Sequence, residues 1–296
     1  MCQRPDFLVC RYFARAKRCV NLPAVNAAVT GVRARLRTIA GTLASVIFPA
    51  PCRLCGETLA HASRIPICHS CLQSLTALDG PMCNRCGRPF VSTVMAEATA
   101  AALCHMCRRQ LYDFDFARSY GPYTPKMMRA VVLLKYNEVF PLANWFAARV
   151  AEVAAQYSEQ YAADLVVAVP VHAARLKERG YNHAELIARP VAQRLRVPFL
   201  PQLLVRTRPR PDKLKLTIRE RWRTVRGSYT TGEGTRVDNL RVLLVDDVFT
   251  TGATLDACSR ALRRAGASKI LALTVARVAL RSEIVSAATM PRVPHQ

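Results

Sequence analysis

The chain has 296 residues, 51% of them hydrophobic and 21% charged, with 43 Lys and Arg against 20 Asp and Glu for a formal net charge of +23. That length and balance suit one full domain plus a smaller one. The lack of about 18 consecutive apolar residues argues against a spanning helix, and the Arg-rich start, nearly free of acids, does not read as a secretory signal.

The expected division is 1–47, 48–110, 111–280 and 281–296. Residues 1–47 read as a basic, flexible extension: Cys2, Cys10 and Cys19 follow no CxxC spacing, and Arg33, Arg35 and Arg37 lie close together. The other reading is a basic arm that touches phosphate backbones. Residues 48–110 are punctuated by cysteine and poor in apolar runs, so bound metal would have to supply stability that the core lacks.

Of the 12 cysteines, eight form four pairs: Cys52/Cys55, Cys68/Cys71, Cys83/Cys86 and Cys104/Cys107. A CxxC turn brings two thiolates to one tetrahedral ion, and Gly56 and Gly87 suit the positive φ such turns adopt. The simplest pairing joins the first pair to the second and the third to the fourth, giving structural Zn2+, one ion or two. His61, His69 and His105 then have no obligatory role. A redox site is the competing reading, but that calls for one pair at a helix N-terminus. Reduced cysteines without a secretory signal point to the cytoplasm.

Tyr112–Pro125 reads as a short connector. Apolar periodicity then predicts helices over Thr124–Tyr136 and Leu142–Tyr157, a buried strand over Leu165–Val169, and a helix over Ala184–Leu195, bent at Pro190. Pro198–Val205 reads as extended. Val242–Val245 is a buried strand, Thr254–Ala265 a helix capped by Gly266, and Ile270–Ala276 a strand. Such alternation predicts a parallel sheet with helices on both faces.

The segment Val242–Thr254 carries the chemistry. Asp246 and Asp247 follow the strand, at the sheet edge where α/β folds bind ligands. Thr250, Thr251, Gly252, Ala253 and Thr254 lead into a helix N-terminus, a cradle for phosphate. Carboxylates beside a phosphate cradle suit vicinal ribose hydroxyls, which donate to them. There is no GxxxxGK[ST] loop, so the strand is not a Walker B element.

This segment resembles the PRPP-binding motif of type I phosphoribosyltransferases. With the CxxC array, Lys135-Tyr136, Val169-Pro170-Val171-His172, Arg175, Arg179-Gly180-Tyr181-Asn182 and Glu220-Arg221, the stretch from Phe48 to Val278 resembles the ComF/GntX family. That resemblance implies a double zinc ribbon joined to a phosphoribosyltransferase-like domain, with a link to competence and DNA uptake. Asp246 and Asp247 would hold the ribose hydroxyls and Thr250–Thr254 the 5-phosphate. Pro170, Val171 and His172 would approach the pyrophosphate, with Arg175, Lys177, Arg179 and Lys135 as nearby cations. Turnover would displace pyrophosphate from C1 of PRPP, with Mg2+ on the leaving group and Arg175 assisting. The family often has Gln-x-Gly-Leu where this chain has Lys213-Leu214-Lys215-Leu216, and Asn where Thr224 stands. Those departures bear on turnover more than on binding. The alternative is a non-catalytic, zinc-containing accessory protein that binds single-stranded nucleic acid, with a DNA-uptake helicase as a partner, and retains the phosphoribosyltransferase pocket; the +23 charge favours it.

Overall fold

The computed structural model describes residues 50–59, 63–90, 102–209, 217–232 and 234–278. The expectations for residues 1–47, His61, Lys213–Leu216 and 281–296 lie outside them. The chain divides into two units, the first ending at Leu75 and the second starting at Thr76. The division thus passes between the second and third cysteine pairs, where the sequence reading sets its boundary at residue 110. No described helix is long and apolar enough to cross a membrane.

In the first unit, a turn at Cys52–Gly56 is closed by the Gly56 N–H donating to the Cys52 carbonyl at 2.8 Å. Cys68 stands at the N-cap position of the short helix α1 (His69–Gln73). The second unit repeats this plan: the Gly87 N–H donates to the Cys83 carbonyl at 2.8 Å, and Cys104 stands at the N-cap position of α2 (His105–Arg108). Gly56 and Gly87 take φ of 86° and 69°, the left-handed conformation these turns require.

The rest of the second unit is built on four parallel strands in the order β1-β6-β5-β2. They are β1 (Phe116–Pro122), β2 (Leu165–Ala168), β5 (Arg241–Phe249) and β6 (Lys269–Arg277). Helix α3 (Pro125–Tyr136) starts at Thr124, whose side chain accepts from the Met127 N–H. Helices α4 (Pro141–Gln156) and α6 (His183–Leu195) pack together on one face, and α6 continues through Pro190. Helix α8 (Ala253–Arg264) covers the other face. Between them lie the external helix α5 (Ala173–Arg179), the antiparallel pair β3 (Leu204–Arg206) and β4 (Tyr229–Thr231), and α7 (Ile218–Val225).

Three expectations need correcting. The connector at Tyr112–Pro125 contains a full edge strand, β1, whose Arg118 and Ser119 are buried. Arg118 is tolerated there because its guanidinium donates to the Asn84 carbonyl at 3.1 Å and the Ala117 carbonyl at 2.8 Å. Pro198–Val205 is not one extended run: Phe199 makes a single bridge to Val166, and the strand is Leu204–Arg206. The acidic pair does not follow its strand but lies inside β5, which runs on to Phe249.

Candidate functional site

The end of β2 opens the site. Its pairing with β5 reaches Ala168 opposite Val245, and the Val169 N–H donates to the Val245 carbonyl at 2.9 Å. Pro170 comes next and has no N–H to extend the ladder. From Asp246 onward β5 is therefore flanked by β6 alone, with Asp246 opposite Thr274 and Val248 opposite Ala276. Asp246 and Asp247 are buried in the sheet edge vacated by β2.

Gly252 sits at φ 82° as the N-cap of α8. A Cβ at that position would lie 2.5 Å from Tyr112 Cε1 and 2.7 Å from Phe249 Cε2, so glycine is demanded by both conformation and space. The Tyr112 hydroxyl donates to the Thr251 carbonyl at 3.1 Å and fixes the loop. The first-turn N–H groups of α8 have no intrahelical acceptor and face an incoming anion with the positive end of the helix dipole.

Asp247 meets two donor side chains. Lys135, in the last turn of α3, forms an ion pair with its Oδ2, and His183 Nε2 stands 2.9 Å from the same oxygen. Arg179 Nη1 lies 3.2 Å from His183 Nδ1. Because guanidinium is only a donor, Nδ1 accepts and Nε2 donates to Asp247. Burial alone would raise the Asp247 carboxyl, but the Lys135 ammonium and His183 override it and hold it well below the usual carboxylate range. Lys135 is fixed in place by Tyr181, whose hydroxyl donates to the Leu134 and Lys135 carbonyls at 3.1 and 3.0 Å.

A depressed carboxyl contributes stability that is present above its unfolded value, about 3.9, and is lost as pH falls through the lower folded value. Lys135→Met removes the main restraint, so the Asp247 carboxyl should titrate higher. The acid limb of a melting-temperature profile should move to higher pH, and neutral stability should fall by about 3–5 kcal/mol. An unmoved acid limb contradicts this assignment.

Of the residues singled out from sequence, Asp246, Asp247, Lys135 and the Thr250–Thr254 loop gather at the β5 terminus. Pro170 and Val171 leave β2 at the same edge. His172 is the N-cap of α5, its Nδ1 accepting from the Ala174 N–H at 3.3 Å. On α5, which buries no residue, Arg175 is half-buried and Lys177 exposed. Arg179 lies over the Tyr136 ring at 4.6 Å. Sequence reasoning missed His183, although it directly follows the Arg179–Asn182 motif. Its Nε2 and the two carboxylates lie within 4.8 Å of one another.

The two cysteine sets, Cys52/Cys55/Cys68/Cys71 and Cys83/Cys86/Cys104/Cys107, each bring four sulfurs within 4.8 Å. The Cys55–Cys68 and Cys86–Cys104 sulfurs are 3.7 and 3.6 Å apart, near the edge of a tetrahedron with metal–sulfur bonds of about 2.3 Å. In each set a backbone N–H, of Cys68 or Cys104, donates at 3.3 Å to the first sulfur, of Cys52 or Cys83. Four thiolates per set leave no open position, so the donors fit structural Zn2+.

Residues 43–108 match the double zinc ribbon domain family, and residues 143–287 match the phosphoribosyl transferase domain family. The DNA utilization protein YhgH of Salmonella typhimurium is 27% identical over 75% of this chain and 94% of its own. Competence protein F of Haemophilus influenzae is 24% identical over 73% of this chain and 93% of its own. Competence protein ComFC of Bacillus subtilis is 26% identical over 71% and 84% respectively.

Proposed function

We propose, for a chain that belongs to the ComF family of double-zinc-ribbon proteins with a phosphoribosyl transferase domain, that the end of β5 and the start of α8 bind a ribose 5-phosphate group such as that of PRPP. The observation that carries this reading is the juxtaposition of two buried carboxylates with a glycine-capped helix N-terminus, at the point where β2 stops pairing. The 5-phosphate accepts from the first-turn N–H groups of α8 and from Thr250, Thr251 and Thr254. Asp246 and Asp247 accept from the ribose hydroxyls. On the pyrophosphate side stand the Pro170–His172 loop, Lys135 and the α5 cations Arg175, Lys177 and Arg179.

Mg2+ belongs to the substrate complex and would supply charge neutralisation on the diphosphate. The chain's own contribution is electrostatic and positional. The carboxylates beside the sugar stabilise positive charge developing at C1, and Lys135 and Arg175 stabilise the departing diphosphate. Asp247 stays ionised through the neutral range because Lys135 and His183 hold it so. Two cysteine sets arranged to bind metal fit a reducing compartment and so a cytoplasmic protein.

The diol contact separates this reading from a generic phosphate site. Ribose 5-phosphate should raise the melting temperature progressively, with the logarithm of its concentration once the site is saturated, and 2-deoxyribose 5-phosphate should do so far less. Equal shifts from both sugars would contradict a role for the carboxylates on the ribose. The second reading, a nucleic-acid partner, is favoured by the net charge of +23 and by relatives named for DNA utilization and competence. It is compatible with the first wherever the nucleic acid uses a different surface.

A further inference from the structure

We infer that α7 and the adjoining β3–β4 pair form the surface that binds single-stranded nucleic acid, an assignment that rests on the nucleic-acid half of the reading above. The described residues here, 206–209 and 217–226, hold six Arg against one acid. Glu220, the one described acid among them, is occupied in the α7 capping box, accepting from the Thr217 N–H at 2.7 Å and hydroxyl at 2.8 Å.

Arg219, Arg223 and Arg226 are exposed, and with Trp222 they line a cleft of about 600 Å³. None of the three forms a salt bridge with a described residue, whereas Arg241, Arg260 and Arg263 are each closed onto aspartates. The contrast matters because, with Glu220 near Arg223 alone, three guanidiniums held together repel one another and folding gains little from it.

Spacing and shape identify the partner's chemistry. Arg219 and Arg223 stand one turn apart on α7 and Arg226 is its extended C-cap, so the three line one cleft over about 10 Å, the reach of about three phosphates on a stacked strand. Trp222 adds an indole beside them, stacked on Tyr112 at 5.9 Å, and an aromatic surface accepts any base. Arg206 lies over the Tyr229 ring on the same lobe at 5.3 Å. A row of exposed guanidiniums with a flat ring suits a strand whose phosphates are read and whose sequence is not. Tyr112 also bonds the Thr251 carbonyl, so the strand would run beside the phosphate loop.

The test is fluorescence anisotropy of a labelled oligothymidylate of about 20 nucleotides with the full, zinc-loaded chain, across about 50–200 mM salt. Arg219→Gln/Arg223→Gln/Arg226→Gln should weaken binding at least tenfold and flatten the log–log salt slope by about 2, the single-strand value for three contacts. The matching triple Lys variant should keep most of the slope, which guards against misfolding as the cause. Asp246→Asn/Asp247→Asn should leave oligonucleotide binding unchanged. The assignment fails if the Gln variant binds as tightly and as salt-sensitively as wild type. It also fails if that variant loses Mg-PRPP and not the oligonucleotide, which would give the cleft to the sugar phosphate. Wild type that binds no oligonucleotide at all would remove the nucleic-acid reading itself and leave the sugar-phosphate reading standing.

Discussion

Cys86→Ser should disable the phosphate loop as well as the metal knuckle it belongs to. Cys83, Cys86, Cys104 and Cys107 are buried in one cluster with Tyr112, Phe114 and Phe249. Arg277, at the end of β6, donates to the Cys86 carbonyl at 2.8 Å and lies 3.9 Å over the Phe249 ring. Arg85 of the same knuckle donates to the Tyr112 carbonyl at 2.6 Å and the Phe114 carbonyl at 2.8 Å. Tyr112 in turn holds Thr251. The second ribbon is thus the rear wall of the cradle. Structural zinc supplies on the order of 10 kcal/mol to isolated ribbons, comparable with the ~5–15 kcal/mol total stability of a domain. The expected result is one Zn2+ fewer per chain, a melting temperature lower by more than about 10 °C, and faster amide exchange across 249–254. Cys55→Ser, in the first unit, should lose one Zn2+ and leave exchange in that loop unchanged. Native exchange in Cys86→Ser would break the link between metal and cradle.

Gly252→Ala is the second large effect. At φ 82° an alanine carries about 1–2 kcal/mol of left-handed strain. Its Cβ would also drive into the rings of Tyr112 and Phe249 at 2.5 and 2.7 Å, and overpacking of this kind costs about 1–3 kcal/mol. The two together predict about 2–5 kcal/mol of destabilisation and loss of ribose 5-phosphate binding, because relief of the clash displaces Thr251 and the start of α8. Gly180 is the matched control: its φ is 79° but nothing lies within 4 Å of its Cβ position. Gly180→Ala should show the strain alone. Equal losses in the two variants, measured by urea unfolding, would contradict the packing argument.

How much of this could be read from sequence depended on whether a residue's role was local. The CxxC pairs, the apolar run of β5 and the glycine before α8 are local signals, and helices α3, α4 and α8 follow their own periodicity. Strand β1 was hidden because Arg118 and Ser119 look like loop residues. Only the fold supplies their partners, the Cys83 and Asn84 carbonyls for Arg118 and the Thr274 hydroxyl for Ser119. The second ribbon reads as a separate module because cysteine spacing reports metal, and nothing in the spacing tells that Arg277, 191 residues beyond Cys86, closes onto it. His183 was missed for a similar reason. A lone histidine opening a helix carries no signal until α6 is laid across the sheet and its ring reaches Asp247.

The central claim is that the buried acidic pair and the α8 cradle form one sugar-phosphate site. Calorimetric titration of Mg-PRPP into the zinc-loaded chain tests it most directly, with Asp246→Asn/Asp247→Asn measured beside wild type. Saturable binding by wild type, with affinity reduced at least tenfold in a variant that melts cooperatively, is the predicted result. No heat from well-folded, zinc-loaded wild type, or equal affinity in the variant, would contradict it.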